Sequence, residues 1–392
     1  MNTAVIVSAC RTPIGSFGGT LSTLSAPKLG AIVIEEVLRR VNLPKEKVNE
    51  VIMGNVITAG VGQAPARQAA MYAGLPSSVE TFTINKVCGS GLKAVMLAAQ
   101  AIQLGDAEIV IAGGMESMSN APYLLEKARF GYKIGTGELL DAMMKDGLTD
   151  AYKNNPMGNF ADMCATECNI TRKEQDDFAI MSYKRAQDSV KNGKFKDEIV
   201  KVGIAEKKGE MTYVEEDEEP FKTNFEKIPQ LKPAFTKEGT VTAANASKIN
   251  DGAAGLLIMS EQKAKELGLK PLAKIIAQAS AAKNPEHFTT APADVIPKIL
   301  KKAKLQLSDI DVFEVNEAFS VVALAVNKLV KLDTEKVNVN GGAVALGHPI
   351  GASGARILVT LLHVLQQKNL KRGLAAICIG GGEASAVVVE RV

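Results

Sequence analysis

A cysteine that opens a helix is the first residue whose type and setting suit covalent chemistry. Cys88 lies in Asn-Lys-Val-Cys-Gly-Ser-Gly, directly before an Ala-, Leu- and Met-rich stretch at 91–104 that predicts a buried helix. The positive end of a helix dipole stabilises a thiolate, and the neighbouring glycines let a substrate come close to the backbone. A buried cysteine with a purely structural role is the alternative. The glycine-rich setting favours a nucleophile.

A histidine between glycines offers a base. His348 stands in Gly-His-Pro-Ile-Gly-Ala-Ser-Gly over 347–354, at the start of a helical pattern that covers 353–366. In this position it can take a proton from a thiol or donate to a developing oxyanion. A turn histidine bonded to the backbone is the alternative. His363 lies among leucines in the middle of the helical pattern, which indicates core packing.

Two further candidates follow predicted strands. Cys378 precedes glycines at 380–382, whose backbone N–H groups can stabilise an oxyanion, and a second thiol can act as a general acid or base. Glycine after a strand is, however, usually only a turn. Asn316, in Asn-Glu-Ala-Phe, follows a predicted strand at 310–315, where polar side chains often line a site in layered α/β proteins. A helix N-cap is the alternative for Asn316.

The composition argues against several classes of function. The chain has 392 residues with 46 basic and 43 acidic side chains, a balance that does not suit a nucleic-acid surface. Five scattered cysteines argue against a disulfide framework and favour a reducing compartment. Three histidines, without any zinc-like cysteine spacing, argue against a metal site. We expect Cys10, Cys164 and Cys168 to pack in the core, and the acidic run at 215–219 to form a solvated loop.

The N-terminal sequence and the apolar content predict where the protein works. The N-terminus has neither the basic and apolar pattern of a secretory signal nor the Arg-rich pattern of a transit peptide. No apolar run approaches the roughly 20 residues of a membrane span, and the last three residues are not a peroxisomal address. We therefore expect a cytoplasmic protein, or the mature form of a mitochondrial one, with no membrane or nucleic-acid partner.

Strand and helix patterns occur twice along the chain and predict an α/β protein made of two related halves. The segment 107–116 parallels 374–383, and 88–91 parallels 351–354. Two βαβ-type halves would form a layered core, with the chemistry where helix N-termini meet. We predict an N-terminal half at 1–117 and 250–270, a C-terminal half at 271–392, and an inserted segment at 118–249 with helical patterning only around 172–192. The predicted strands are 4–9, 48–56, 108–112, 271–279, 310–315 and 375–379, and the remaining predicted helices are 27–41 and 293–305.

The motifs around Cys88, Asn316, His348 and Cys378, in this order, resemble those of the thiolase family. The match runs essentially end to end and includes Arg-Thr-Pro-Ile-Gly at 11–15 and Ala-Gly-Gly-Met-Glu-Ser-Met-Ser at 112–119. The runs at 240–247 and 338–344 resemble the short-chain acetoacetyl-CoA thiolases, or acetyl-CoA C-acetyltransferases. The resemblance implies a five-layered α/β/α/β/α core with an inserted loop domain. It also implies reversible Claisen condensation of two acetyl-CoA molecules to acetoacetyl-CoA and CoA.

The resemblance also implies the roles of the catalytic residues. Cys88 would carry the acetyl group in a ping-pong mechanism, with His348 removing the thiol proton. Cys378 would deprotonate the methyl group of the second acetyl-CoA. One oxyanion hole would combine His348 with a water held by Asn316, and the other would use the N–H groups of Cys88 and Gly380. Coenzyme A enters as substrate, and the chemistry requires no cofactor.

Coenzyme A would lie against the inserted segment, and the family expectation is a homotetramer with contacts around 120–140. By resemblance, Ser247 would meet the pantetheine, and four residues of the 222–227 segment would lie near the nucleotide end, although an exposed lysine is more often simply solvated. The implied binding residues are Leu148, Met157, Tyr183, Lys222, Thr223, Asn224, Lys227, Phe235, Ala243, Ser247, Phe288, Ala318 and Phe319.

Two departures from the bacterial short-chain pattern bear on specificity. Pro156 replaces a histidine next to Met157, and Phe288 stands where many bacterial relatives have methionine. Phenylalanine there resembles the animal mitochondrial enzyme, which handles 2-methyl-branched substrate and is activated by potassium. The matching positions predict a K⁺ site, because carbonyl oxygens suit a hard cation. These positions are Tyr183, Ala243, Ala244, Ala246 and Val344.

Four rival interpretations stay open at this point. A ketoacyl synthase would pair its cysteine with two histidines or with histidine and asparagine, whereas this chain offers a second cysteine. A degradative 3-ketoacyl-CoA thiolase shares the catalytic motifs, but Met157 and Phe235 would narrow its acyl pocket. A non-catalytic acyl-CoA-binding protein should have lost at least one catalytic position. A redox switch would require a working disulfide between Cys88 and Cys378.

Overall fold

The structure is a computed structural model that describes residues 2–205 and 209–392. Its helices are α1 (Ala26–Arg39), α2 (Pro65–Tyr72), α3 (Ser90–Leu104), α4 (Met157–Glu167), α5 (Arg172–Lys191), α6 (Glu261–Glu266), α7 (Ala291–Ala303), α8 (Ser320–Val330), α9 (Ala343–Leu346) and α10 (Ile350–Gln367). Its strands are β1 (Ala4–Arg11), β2 (Gly15–Ser16), β3 (Glu50–Gly54), β4 (Glu80–Ile84), β5 (Ile109–Ser117), β6 (Tyr123–Leu124), β7 (Leu140–Asp141), β8 (Val202–Ala205), β9 (Met211–Val214), β10 (Asn250–Ser260), β11 (Ala273–Ala282), β12 (Val312–Val315), β13 (Arg372–Ile379) and β14 (Glu383–Arg391).

The main sheet joins the two halves of the chain. Its strand order is β12-β13-β14-β11-β1-β10-β5-β3-β4, and β2 pairs with β10. The first four strands come from the C-terminal part of the chain and the others from residues up to 260. A short antiparallel pairing of Val5 with Lys274 and Ile6 with Ala273 connects the two groups. The sequence patterns predicted two related halves but did not predict this hydrogen-bonded junction.

Helices α3 and α10 form the middle layer between the two groups of strands. Alternate residues of β1 point to opposite faces: Ala4 and Ile6 join the middle core, whereas Val5 and Val7 pack towards α1 and α2. On the other side, α7 and α8 cover the outer face of β11 to β14. These are the five layers that the resemblance implied. The segment Val87–Leu104 is long and apolar enough to cross a membrane, and it lies here in this middle layer, half of it fully buried.

The N-termini of α3 and α10 contact each other backbone to backbone. A Cβ atom on Gly91 would lie 2.8 Å from the amide nitrogen of Ala355, and one on Gly354 would lie 2.5 Å from that of Leu92. Both distances are too short for any side chain, so these two positions require glycine. The contact holds the segments that precede the two helices, which carry Cys88 and His348, next to each other.

Several elements differ from the sequence-based prediction. The prediction of helical patterning only around 172–192 in the inserted segment is wrong, because α4 is also helical there. Strand β10 was missed although it is buried throughout and lies between β1 and β5. It begins with small and polar residues that carry no alternating pattern. Strands β4 and β14 and helices α2 and α8 were also missed. The domain boundaries stay predictions.

The acidic run at 215–219 is not simply a solvated loop. Glu215 and Glu216 are exposed, but Asp217 is buried. The Asp217 carboxylate accepts hydrogen bonds from both terminal nitrogens of the Arg11 guanidinium, at 2.7 and 2.9 Å, and from the Ile14 N–H at 2.8 Å. Arg11 is fully buried and also donates to Glu198 at 2.6 Å. This ion pair ties the inserted segment to β1.

The ion pair between Arg11 and Asp217 predicts a change in stability, and a neighbouring residue of the acidic segment 215–219 serves as the control. Asp217→Ala leaves a buried guanidinium with one fewer carboxylate, so we expect a loss of about 3–5 kcal/mol in the free energy of unfolding. Glu216→Ala, one residue away and exposed, should change it by less than about 0.5 kcal/mol. Urea unfolding followed by circular dichroism measures both. Equal small effects for the two variants would contradict the buried ion pair.

Candidate active site

The Cys88 segment is a strained turn between β4 and α3. Val87 has a φ of 45°, in the left-handed region that a β-branched residue rarely adopts. The Ser90 hydroxyl holds the turn, because it donates to the Val87 carbonyl at 2.6 Å and accepts from the Lys86 N–H at 2.8 Å. Strain of this kind clusters at functional sites, where the surrounding structure supports it. Here it fixes the direction in which Cys88 points.

Cys88 is half-buried, and the loss of solvent around its sulfur raises the pKa of the thiol. Its side chain packs with Leu148 and Ile350 in a small apolar cluster. Desolvation raises the pKa of the Cys88 thiol to about 11, and the hydrogen bond from the Gly380 backbone N–H lowers it only in part. This direction runs against the expectation of a helix-stabilised thiolate and indicates a Cys88 thiol that needs a base. The Gly380 N–H lies where the sequence analysis placed an oxyanion donor.

His348 is held as a neutral base. Its Nδ1 is 2.6 Å from the Ser353 hydroxyl, and that hydroxyl donates its proton to the Pro349 carbonyl at 2.9 Å. Nδ1 therefore carries the ring proton, and Nε2 presents a lone pair. Nε2 is buried and has no protein partner within residues 2–205 and 209–392. Burial, followed by the nearby charge of Arg356, lowers the pKa of His348 to about 3.

A buried carboxylate, Glu116, positions the His348 helix relative to the N-terminal half. It accepts hydrogen bonds from the N–H groups of Val56 at 3.0 Å, Ile57 at 3.2 Å and Gly351 at 2.9 Å. Burial raises its pKa to about 7 despite these donors. Sequence reasoning missed its role, although Glu116 lies inside the quoted 112–119 motif.

Cys378, the second candidate thiol, lies at the end of a buried strand. It is the penultimate residue of β13, is buried, and packs in the apolar cluster that contains Met157 and Phe319. Burial, and then the proximity of Cys88, raise the pKa of the Cys378 thiol well above its usual value. An ion pair between Lys86 and Glu383 connects the Cys88 turn to the hairpin that follows Cys378. The two thiols are thus held in adjacent segments.

Asn316 follows β12 and is not a helix cap, because α8 begins only at Ser320 with Phe319 as its N-cap residue. The Asn316 N–H donates to the Ala376 carbonyl at 3.0 Å, which places Asn316 beside the end of β13. Its side chain is almost fully buried, and the amide nitrogen Nδ2 lacks a partner in the described part of the chain. A buried donor without a partner is costly and calls for a functional explanation.

A cleft of about 520 Å³ opens beside His348, which is part of its lining. Phe319 forms its aromatic wall, with an edge-to-face contact to Phe235 at a centroid distance of 6.1 Å. Ser247 donates its N–H to the Ala318 carbonyl at 3.0 Å, which holds the Ser247 segment next to the Phe319 segment. The predicted residues that line the cleft are Leu148, Met157, Lys222, Phe235, Ala243, Ala246, Ser247, Phe319 and His348.

The other predicted binding residues lie outside the cleft lining. Phe288 is buried behind Phe319, with ring centroids 6.5 Å apart. Tyr183 is fully buried, so this position does not support the predicted contact with coenzyme A. Ala318 is buried. The positions Thr223, Asn224 and Lys227 continue the chain from Lys222 at the surface.

The cleft is surrounded by residues that sequence reasoning did not select. Asn250 accepts the His348 N–H at 2.9 Å, and no motif pointed to it. Ser353 was inside the quoted motif, but its role as the partner of His348 became visible only in the structure. Within 2–205 and 209–392 no group of three or more His, Cys, Asp or Glu side chains is arranged to hold a metal.

Comparison with known proteins assigns the family. A family model described as the N-terminal domain of thiolase matches residues 4–262, and one described as the C-terminal domain matches residues 269–391. The chain belongs to the thiolase family. It is 56% identical to the acetyl-CoA acetyltransferase of Schizosaccharomyces pombe and 53% identical to that of Cupriavidus necator, covering 100% of each chain.

The solved structures agree with this assignment. The crystal structure of the acetyl-CoA acetyltransferase from Bacillus anthracis matches the thiolase described here with a TM-score of 0.98 and 43% identity. The match covers 100% of this chain and 99% of the other. The thiolase fold implied by the sequence motifs is therefore confirmed.

The raised pKa of Cys88 predicts how the thiol reacts with an alkylating reagent. Only the thiolate is alkylated, and a thiol with a pKa of about 11 gains thiolate with every step in pH up to that value. We expect the rate of Cys88 labelling by iodoacetamide to rise continuously from pH 7 to 9.5. Mass spectrometry of the Cys88 peptide measures it, with Cys88→Ser as the control for the other cysteines. A plateau below pH 8 would show that the helix N-terminus outweighs burial.

Proposed function

We propose that this thiolase is an acetyl-CoA C-acetyltransferase that interconverts two acetyl-CoA molecules with acetoacetyl-CoA and CoA. The observation that carries the proposal is that neutral His348 lines the cleft while two thiols lie just behind its lining. Cys88 packs in the cluster of Leu148 and Ile350, and Cys378 packs in the cluster of Met157 and Phe319. The relatives that are named acetyl-CoA acetyltransferases and share more than half of the sequence support this choice. So does a Gly380 N–H that already faces the Cys88 sulfur.

In the first half-reaction, the Cys88 sulfur attacks the thioester carbonyl of acetyl-CoA while Nε2 of His348 takes the thiol proton. The carbonyl oxygen becomes an oxyanion, which the N–H groups of Cys88 and Gly380 stabilise. When the tetrahedral intermediate collapses, the carbon–sulfur bond to coenzyme A breaks. The leaving thiolate receives the proton from His348. The products are acetyl-Cys88 and free CoA, as a ping-pong mechanism requires.

In the second half-reaction, the Cys378 thiol first gives its proton to Nε2 of His348, and the resulting thiolate removes a proton from the methyl group of a new acetyl-CoA. Its raised pKa makes it a strong base once ionised. The thioester oxygen carries the resulting charge, and His348 together with a water held by Asn316 stabilises it. The carbanion attacks acetyl-Cys88, acetoacetyl-CoA forms, and Cys88 leaves as a thiolate. Cys378 keeps the methyl proton as a thiol, and His348 gives its proton to the Cys88 thiolate, which restores the starting enzyme.

The walls of the cleft favour short acyl groups. Met157 lies against the thiol wall, since a Cβ atom on Gly380 would be 3.6 Å from its methyl carbon. Phe235 and Phe319 close a further part of the cleft through their edge-to-face contact. Pro156 contributes a compact apolar surface to the same cleft. We propose that a 2-methyl branch is accepted here and that a long acyl chain is not.

Thiolytic cleavage of acetoacetyl-CoA tests the function. We expect the wild type to cleave it rapidly in the presence of CoA, and Cys88→Ala to be inactive because no acyl-enzyme forms. Cys378→Ala should be slowed by at least about 10²-fold, since it removes the general acid but leaves the nucleophile. Acetylation of Cys88 by acetyl-CoA, followed by mass spectrometry, should persist in Cys378→Ala and be absent in Cys88→Ala.

The alternative functions have distinct outcomes in the same assay. Cleavage of longer 3-ketoacyl-CoA without cleavage of acetoacetyl-CoA would mean a degradative thiolase. Binding of acetyl-CoA without any turnover would mean an acyl-CoA-binding protein. Cleavage of 2-methylacetoacetyl-CoA at a rate within about tenfold of acetoacetyl-CoA would support the proposed acyl pocket, because one methylene changes such a preference by about 10–200-fold.

We also propose a K⁺ site next to the cleft. The Tyr183 hydroxyl is buried and has no partner in the part of the chain that is described. The Val344 N–H donates at 3.1 Å to Glu317, a buried carboxylate whose charge favours a nearby cation. Lys248 donates to the Ala246 carbonyl at 2.9 Å, so one of the predicted oxygens already faces a positive group. The carbonyls of Ala243, Ala244 and Val344 and the Tyr183 hydroxyl would hold the ion.

Salt substitution tests the K⁺ site. Replacing NaCl with KCl at constant ionic strength should lower the KM for CoA, because the 243–247 turn supplies part of the cleft wall. Tyr183→Phe, which removes one oxygen and keeps the ring, should abolish the difference between the salts. Identical kinetics of the wild type in both salts would refute the site.

The surface supports the proposed assembly into a homotetramer. Phe130 is 90% exposed and Ile134 is 96% exposed, and both lie in the 120–140 segment. Tyr123, Leu125 and Leu139 expose further apolar area there. Clusters of this kind usually mark protein contacts. Sedimentation velocity of Ile134→Ser tests the proposal, which predicts a smaller species than the wild type.

A further inference from the structure

The buried Arg356 has no role in the chemistry described above. It lies on α10, about two helical turns after His348, and only 2% of its surface is exposed. Its guanidinium contacts β12 in two places: Nη2 is 3.5 Å from Oδ1 of Asn316, and Nη1 is 3.6 Å from Oε2 of Glu314. Burying an arginine is expensive, and neither contact is short enough to offset that cost well. The position therefore asks for a functional reason.

The pleat of β12 brings these groups together. Val312 packs in the middle core and Phe313 and Val315 pack in the outer one, so Glu314 and Asn316 point towards the middle layer, where α10 lies. One arginine on α10 can thus reach both side chains. The charge of Arg356 also acts on His348, whose pKa it lowers after the larger effect of burial. Arg356 is therefore close to both partners of the implied water-assisted oxyanion hole.

A guanidinium determines whether a neighbouring side-chain amide turns its carbonyl oxygen or its NH₂ group towards it. It has only N–H donors, so it attracts the carbonyl oxygen of Asn316 and repels the amide NH₂. Reversing the amide would place donor against donor in a buried site, at a cost of the order of an unsatisfied hydrogen bond, about 1–3 kcal/mol. With Oδ1 facing Arg356, the Nδ2 group points away from it and has no partner among the described residues.

We propose that Arg356 is a positioning residue that fixes the Asn316 amide so that its NH₂ group, not its carbonyl, faces the acyl site. Nδ2 then donates to the water, and the water keeps both protons for hydrogen bonds to the thioester oxygen and its surroundings. A reversed amide would accept a proton from that water and leave the oxyanion with a weaker donor. This inference rests on the proposed function, because it assumes that Asn316 stabilises the oxyanion.

A mutant cycle on thiolysis of acetoacetyl-CoA tests the proposal. Removing Arg356 alone leaves Glu314 buried without its cation, so Arg356→Met is combined with Glu314→Gln. We expect this variant to lose at least about tenfold in kcat, less than the 10²–10³-fold that complete loss of an oxyanion donor costs, with an unchanged KM for CoA. Arg356→Lys should recover part of the loss, since an ammonium also prefers the carbonyl oxygen. Asn316→Asp, which keeps the contact with Arg356 but has no N–H, should be as slow as Asn316→Ala.

The cycle separates positioning from a structural effect. In the Asn316→Ala background, the Arg356→Met and Glu314→Gln changes should have no further effect on kcat, because there is no amide left to orient. Arg372→Met removes an arginine at the start of β13 that pairs with Glu390 at 2.6 Å, and it should leave kcat unchanged. The thermal midpoint of each variant checks folding.

The failures of the two proposals are distinguishable. If Asn316→Ala keeps full activity, the role of Asn316 in the proposed function is wrong, whatever Arg356 does. If Asn316→Ala is slow but the Arg356→Met and Glu314→Gln variant is as active as the wild type, the positioning role is overturned and the function stands. The positioning role would also be overturned if the Arg356→Met and Glu314→Gln changes lowered kcat by the same factor in the wild type and in Asn316→Ala, since independent effects add.

Discussion

The close approach of α3 and α10 is the constraint on which the site depends. Each of these helices begins directly after a segment that we propose to be catalytic, so the distance between their N-termini sets the distance between Cys88 and His348. Gly91 and Gly354 make the approach possible because a side chain on either would collide with the backbone of the other helix. The two-fold repetition of the chain places a small residue at the matching position of each half. The geometry of the site is therefore set by backbone packing rather than by flexible side chains.

The resting site is built from neutral groups. Cys88 and Cys378 are thiols because burial raises their pKa values, and His348 is an unprotonated base because burial lowers its pKa. Charge therefore arises only during the reaction, where the N–H groups already point. A buried hydrogen-bond donor without an acceptor, such as Asn316 Nδ2, lowers the folding stability by roughly 1–3 kcal/mol. The packed middle layer offsets this cost, and donors fixed in advance need no reorganisation when the oxyanion forms.

The sequence pointed to the candidate reactive residues more clearly than to the residues and strands that hold them in place. Glycines that mark turns pointed to Cys88, His348 and Cys378, whose catalytic roles stay predictions, and the thiolase fold followed from the order of their motifs. Strand β10 escaped because its first residues are small and polar, and their burial comes from neighbours distant in the chain. Asp217 looked solvated for the same reason, since its partner Arg11 lies 206 positions away. Asn250 and Arg356 carry no local signal, because their roles arise only from tertiary contacts.

The structure also separates catalysis from substrate selection. The groups proposed to do chemistry lie on or next to the core strands and helices, whereas Met157 and Phe235, which we propose narrow the acyl pocket, belong to the inserted segment. That segment is tied to β1 through the ion pair of Asp217 with Arg11, far in sequence from the catalytic turns. Changes in the insert can thus alter the size of the acyl group without moving the oxyanion donors. This arrangement explains how thiolases with the same four motifs can differ in the length of the acyl chain that they accept, since the motifs fix only the reacting atoms.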